Sequence, residues 1–128
     1  MPGVRSYKDL LVWQKAMDVA ASTYELTRSY PRDELFGLTS QSRRAASSVP
    51  ANIAEGYGRD SRPTFIQFLR IAQGSLKELE THLLLAERVE VVQATKTRRL
   101  LEDLDELGRM LRGLISALRA RPKPDPKP

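Results

Sequence analysis

Leu100, Leu104, Leu107, Leu111, Leu114 and Leu118 recur in alternating steps of four and three along the last long segment of the chain. Only a helix carries residues so spaced onto one side, and a leucine seam of this kind is stable only when other helices cover it. The spacing predicts a helix from about Thr95 to Ala120, packed in the manner of a coiled coil, with Leu101, Met110 and Ile115 beside the seam. The rest of the chain must supply the cover.

Three further segments have the right pattern. From Lys8 to about Ser29, Leu10, Trp13, Met17, Ala20 and Tyr24 fall on one helical face, with Val12 and Val19 broadening it. Ser6 is the expected cap, with Asp9 three residues on as an acidic capping box, and Tyr30-Pro31 ends the run. Asp33 is the expected cap of a second helix, whose weaker stripe is Leu35, Leu38, Ala45, Val49 and Ile53. Ser61-Arg62-Pro63 starts a third, because proline in the first turn loses a donor that has no helical partner there. Its face is Phe65, Phe68, Leu69, Ala72, Leu76, Leu79, Leu83 and Ala86, while Ile66, Ile71, Leu84 and Leu85 lie off that face. Short connections make sequential helices neighbours, so the expected fold is all-α, an antiparallel up-down four-helix bundle over residues 1–120. Residues 121–128, rich in proline and lysine, read as a disordered tail.

The stretch from Arg43 to Arg62, RRAASSVPANIAEGYGRDSR, is the least ordinary. Ala45, Ala46, Ser47 and Ser48 allow another backbone to come close, and Pro50 removes a donor, at a cost of about 3 kcal/mol in a helix interior. A kinked second helix is expected, with Asn52 and Glu55 satisfying freed backbone groups and Gly56 and Gly58 ending it. A buried Glu55 would need Arg59, Arg62 or Asn52 as a partner.

These residues carry a resemblance. Tyr7, Leu10, Trp13 and Lys15, then Ala45 with Ser48, the run Pro50, Asn52, Ile53, Ala54, Glu55, Gly56, Tyr57, Gly58 and Arg59, and finally Phe65, Phe68, Leu69, Ala72, Gly74, Ser75, Glu78 and Leu79 appear in one order over roughly the first two thirds of the chain. The pattern resembles the four-helix bundle family of proteins encoded by intervening sequences in bacterial 23S ribosomal RNA genes, the S23 ribosomal protein family. That family includes the accessory variability determinant of diversity-generating retroelements. The resemblance implies a basic, ring-like homopentamer that binds nucleic acid and a reverse transcriptase. The chain departs from the pattern where Glu90, Val91 and Val92 replace the glycine often found after the third helix, and in its tail.

Composition narrows function chiefly by exclusion. With no cysteine there is no disulfide or thiolate chemistry, and with no apolar run near the about 20 residues of a membrane span, a cytoplasmic protein without membrane contact is expected. The formal charge of +5 favours polyanionic partners. Part of the charge is neutralised locally, since Arg98 with Glu102, Arg99 with Asp103, and Asp105 with Arg109 stand at i,i+4 spacing.

Catalytic readings find little to work with. His82 is the sole histidine and stands four residues from Glu78, whereas a bundle metal site takes several inward carboxylates with Glu-x-x-His pairs. Gly56 and Gly58 before a helix start lack the strand and the Gly-Lys-Ser/Thr ending of a phosphate loop. Ser40, Ser42, Ser47 and Ser48 have no histidine and aspartate set to activate them. No enzyme, cofactor or metal is expected. Arg43, Arg44, Arg59, Arg62 and Arg112 are the candidate contacts to RNA or DNA phosphates, and repetition of a modest patch around a homo-oligomer would raise avidity. The alternative is a scaffold that docks a protein such as a reverse transcriptase and does not itself bind nucleic acid.

Overall fold

The computed structural model describes residues 1–120, and the expected tail at 121–128 lies outside them. Four long helices follow in order, α1 (Leu11–Thr27), α2 (Ser40–Tyr57), α3 (Arg62–Arg88) and α4 (Ala94–Ala120), with no strand among the described residues. Each long helix contacts two others: α1 packs on α2 and α4, α2 on α3, and α3 on α4. The main apolar core lies between them, with Ile53, Leu69, Leu79, Leu83, Leu107 and Leu111 fully buried, and Tyr30, Ala86 and Val92 form a smaller second cluster. No helix among the described residues is long and apolar enough to cross a membrane.

The N-terminal cap forms, but on a different element. Ser6 Oγ accepts from Lys8 N at 3.1 Å and Asp9 Oδ2 accepts from Ser6 N at 3.2 Å, closing a capping box on a 3₁₀ turn at Tyr7–Asp9. Leu10 is extended (φ −74°, ψ 126°), and α1 begins only after it. The buried face of α1 is therefore not the one expected. Val12, Ala16, Val19, Thr23 and Thr27 point inward, while Met17 and Tyr24 are exposed and Trp13 and Ala20 half-buried. Two threonines can replace hydrocarbon because each hydroxyl is satisfied within the helix: Thr23 Oγ1 donates to Val19 O and Thr27 Oγ1 to Thr23 O, both at 2.8 Å.

The start of the second helical region also differs. Asp33 lies in a 3₁₀ turn at Arg32–Glu34 and caps nothing, whereas the Glu34 carboxylate accepts from Leu38 N at 3.2 Å. A π-helical turn, Leu35–Thr39, precedes α2 and is broken at Gly37 (φ −111°, ψ −114°). Pro50 lies inside α2, which is helical on both sides of it. Leu35 is exposed and Leu38 half-buried, so the core stripe begins only at Ser42, Ala45 and Ala46.

Small residues let α2 approach α3. A Cβ on Gly56 would lie 2.5 Å from Phe68 Cβ, inside any carbon contact, so glycine is required there by space. Gly58 ends α2 in right-handed helical geometry (φ −75°), its N–H donating to Ala54 O at 3.2 Å. The left-handed residue of this turn is Asp60 (φ 52°), so Gly58 does not supply the permissive dihedral expected of it. Ser61 Oγ then accepts from Thr64 N at 3.3 Å and opens α3 with Pro63 in its first turn. After α3 the chain turns through Glu90, left-handed at φ 64°, while Val91 N donates to Ala86 O at 2.8 Å.

On α4 the buried residues are Thr97, Leu100, Leu104, Leu107, Leu111, Ile115 and Leu118. Ile115 takes the place expected of Leu114, which is half-buried. Two successive steps of four follow Leu107, the drift of a 3.6-residue helix away from a strict heptad.

Candidate nucleic-acid interface

The five arginines singled out by sequence do not form one patch. Arg43 is a clamp between α1 and α2: its Nε donates to Thr27 Oγ1 at 2.9 Å and its guanidinium lies 4.7 Å from the centre of the Tyr24 ring. Arg44, next to it, is exposed. Arg59, in the turn just past the far end of α2, pairs with Glu55 at 3.8 Å and stands 5.4 Å over the Phe68 ring. Arg62 opens α3 and is half-buried. Arg112 sits on α4.

Of the other motif residues, Asn52 is a connector. Its Nδ2 donates to Ser48 O at 2.8 Å and to Ser48 Oγ at 2.9 Å, and Ser48 Oγ shares a 2.8 Å hydrogen bond with Ser75 Oγ on α3. Proline at position 50 is buried. Glu55 is exposed and needs no burial partner. At the α1–α4 contact, Lys15 Nζ reaches Asp103 at 3.2 Å and Glu106 at 3.0 Å, and Arg99 also reaches Asp103. The hydrogen bond that the Lys15 ammonium donates to Glu106 holds its pKa above the ordinary value, burial opposes this, and Asp103 adds to it. Arg109 pairs with Asp105 as the spacing anticipated, while Arg98 and Glu102 do not pair. His82 Nε2 lies 3.4 Å from Glu78 Oε1, and no group of three or more metal-ligating side chains occurs among the described residues.

Two recesses join along the α3–α4 surface, because Arg70, Gln73 and Arg112 line both. The first, about 380 Å³, includes Gly74, Leu76, Lys77, Glu80, Leu104, Asp105 and Gly108. The second continues past Ile115 and Ser116 to Arg119. Arg70, Arg112 and Arg119 are exposed, and among the described residues none of them makes an ion pair. The acidic groups at the other end are engaged, Glu80 with Lys77 at 3.3 Å and Asp105 with Arg109. The groove is therefore positive at one end and locally neutralised at the other. Sequence reasoning found Arg112 and missed Arg70 and Arg119. The available signal was the spacing 112, 116, 119, which puts two arginines and a serine on one side of a helix.

A second surface is apolar. Tyr7, Trp13, Met17, Ala20, Tyr24, Pro50 and Ala54 line a shallow groove of about 500 Å³ between α1 and α2, with Tyr7 and Trp13 edge to face at 5.3 Å. Most of the stripe expected to fill the core lines this groove. Phe36, at 91% exposure, and Leu35 protrude from the turn before α2.

Residues 8–113 match the family model of the 23S rRNA-intervening sequence protein. The chain belongs to this family. A crystal structure of a protein of unknown function from the S23 ribosomal protein family of Bacteroides thetaiotaomicron is similar, with 27% sequence identity and a TM-score of 0.73. The similarity covers 82% of this chain and 98% of that one. No curated protein matches. Family membership accords with the four helices.

Proposed function

We propose that this member of the 23S rRNA-intervening sequence protein family is a non-enzymatic, cytoplasmic binding protein. In this reading its four helices run up and down as a bundle, several copies close into a ring-like homo-oligomer, a pentamer by family resemblance, and the ring binds structured RNA or DNA. The observation that carries the binding reading is the row of Arg70, Arg112 and Arg119 along one groove without intramolecular counter-charges among the described residues. Guanidinium groups suit phosphate because their planar fork offers paired donors, and unpaired ones are free to use them. The apolar α1–α2 groove with the protruding Leu35 and Phe36 supports assembly, since such surface is costly to leave in water.

Retention of RNA by the purified full chain tests the binding reading. Affinity should fall steeply with added salt and should drop when Arg112 and Arg119 are changed to Glu. Binding that is absent or indifferent to salt refutes it. Light scattering at micromolar concentration tests assembly, and a monomer refutes the ring.

The exposed apolar surface also favours a second reading, a scaffold that docks a protein such as a reverse transcriptase without binding nucleic acid itself. Affinity purification after nuclease treatment separates the two, because partners bridged by nucleic acid are lost and directly docked ones persist.

A further inference from the structure

The α3–α4 groove has three properties that together specify more than attraction to phosphate. It is long: Arg112 and Arg119 are seven residues apart on one helix, roughly 10 Å at 1.5 Å per residue, too far to serve a single phosphate. It has room, about 380 Å³ beside Gly74 on α3 and Gly108 on α4 and lined also by the buried Leu76 and Leu104, and a Cβ at Gly74 would meet nothing within 4 Å. It is polarised, since the arginines gather at one end while at the other Glu80 and Asp105, each paired through one oxygen with Lys77 or Arg109, keep a second carboxylate oxygen as acceptor. Arg112 connects floor and rim, its Nη1 lying 3.7 Å from the position a Gly108 Cβ would take.

Phosphate alone would need the arginines and no recess. A duplex presents a convex ridge of phosphates with its bases stacked inside, so it could touch the rim and leave the floor empty. A single strand offers both parts, successive phosphates along the backbone and bases that can leave the stack. We propose that this groove holds an unpaired stretch of nucleic acid, with consecutive phosphates on Arg70, Arg112 and Arg119 and one unstacked base in the recess over Gly74 and Gly108. The carboxylates of Glu80 and Asp105 then face the base edge, where exocyclic amino groups donate. This inference rests on the nucleic-acid reading above and names the part of a structured RNA that the protein grips: a loop, a bulge or an end.

Fluorescence anisotropy on the full chain tests it, with three probes: a short mixed-sequence single-stranded oligoribonucleotide, the blunt duplex of the same sequence, and adenosine monophosphate as competitor. The single strand is expected to bind at least about tenfold tighter than the duplex. Three phosphate contacts to a single strand should weaken its binding roughly twentyfold between about 50 and 200 mM salt. Gly74→Leu fills the recess without changing charge and is expected to cost the single strand about tenfold while leaving duplex binding within about twofold. Gln73→Trp, at a half-buried position that lines the recess beside Gly74, is an independent block with the same expectation, and circular dichroism confirms that each variant is folded. Arg112→Glu should weaken both probes. Equal affinity for strand and duplex, or single-strand binding unchanged in both blocked variants, overturns the groove inference while leaving the nucleic-acid reading intact. Competition by the mononucleotide at concentrations matching the oligonucleotide also overturns it. If neither probe binds, both fall.

Discussion

Alanine placed at Gly56 and at Gly74 should move stability in opposite directions, although both glycines lie inside long helices. A helical glycine is about 1 kcal/mol less favourable than alanine, because it gives up more backbone freedom on folding. At Gly74 nothing opposes that gain, since the new methyl meets no atom within 4 Å. Gly74→Ala is therefore expected to raise stability by up to about 1 kcal/mol, a few degrees in Tm for a domain of this size. At Gly56 the methyl would sit 2.5 Å from Phe68 Cβ and 3.2 Å from Phe65 Cδ1, against about 3.5 to 4.0 Å for an ordinary carbon contact. The Phe68 Cβ is fixed to its backbone and cannot swing aside, so α2 and α3 must separate locally. Overpacking of this kind costs about 1 to 3 kcal/mol, and more where backbone must move. Net of the helix-propensity gain, Gly56→Ala should lose up to about 2 kcal/mol. Urea unfolding followed by circular dichroism, at one fixed protein concentration because assembly adds to apparent stability, measures both. If Gly56→Ala is as stabilising as Gly74→Ala, the close approach of α2 to α3 at this point is wrong.

Other outcomes follow from single residues. Glu90 holds a left-handed conformation that costs an ordinary residue about 1 to 2 kcal/mol, so Glu90→Gly should stabilise by about 0.5 kcal/mol after the flexibility of glycine is deducted, and Glu90→Val should destabilise; a lower urea midpoint for Glu90→Gly refutes this. The Tyr30 hydroxyl is buried without a partner, and burial, with the Glu87 charge adding, pushes it up to about 12. Its folded value lies above the unfolded one, so this contribution to stability is complete below about pH 10 and is lost as pH rises through about 12. One tyrosine in the ultraviolet titration should ionise late, and Tyr30→Phe should remove that step and leave the protein at least as stable. Leu107→Asp should unfold the protein, because the site is fully buried and offers no cation; a folded circular dichroism spectrum would contradict the core. Pro50→Ala should keep the helices but change the sedimentation profile, since Pro50 lines the apolar α1–α2 groove, and an unchanged profile places the contact between copies elsewhere.

The helices on which the core depends are legible where the pattern is long and carbon-rich. The face of α3 and most of the α4 seam are read correctly because Leu69, Leu76, Leu79, Leu83, Leu104, Leu107 and Leu111 form longer unbroken stripes than the apolar residues off them, such as Ile71, Leu84 and Leu85. On α1 two stripes compete, and transfer energy alone favours the larger residues Trp13, Met17 and Tyr24. The small stripe is buried instead: Ala16 and Val19 join Ala45 and Ala46 of α2 in the core cluster, and Thr23 and Thr27 satisfy their own hydroxyls. Packing volume is a property of two helices, and one helix's sequence does not display it. The candidate site was legible only in part for a similar reason. Arg43 reads as a free cation until Tyr24 and Thr27 are known to stand beside it. Arg70 and Arg119 gain meaning only when α3 and α4 lie side by side, with Gly74 and Gly108 hollowing the surface between them.

The hydroxyl pair of Ser48 and Ser75, with Asn52 behind it, gives a greasy contact a ruler. Hydrocarbon faces slide over one another at little penalty, but two hydroxyls 2.8 Å apart meet at a single axial offset. Ser75 adjoins Gly74, so the same offset sets the height of one wall of the arginine groove. A change that frees that ruler, such as Ser75→Ala, would leave a well-folded molecule in which α3 has lost its alignment on α2.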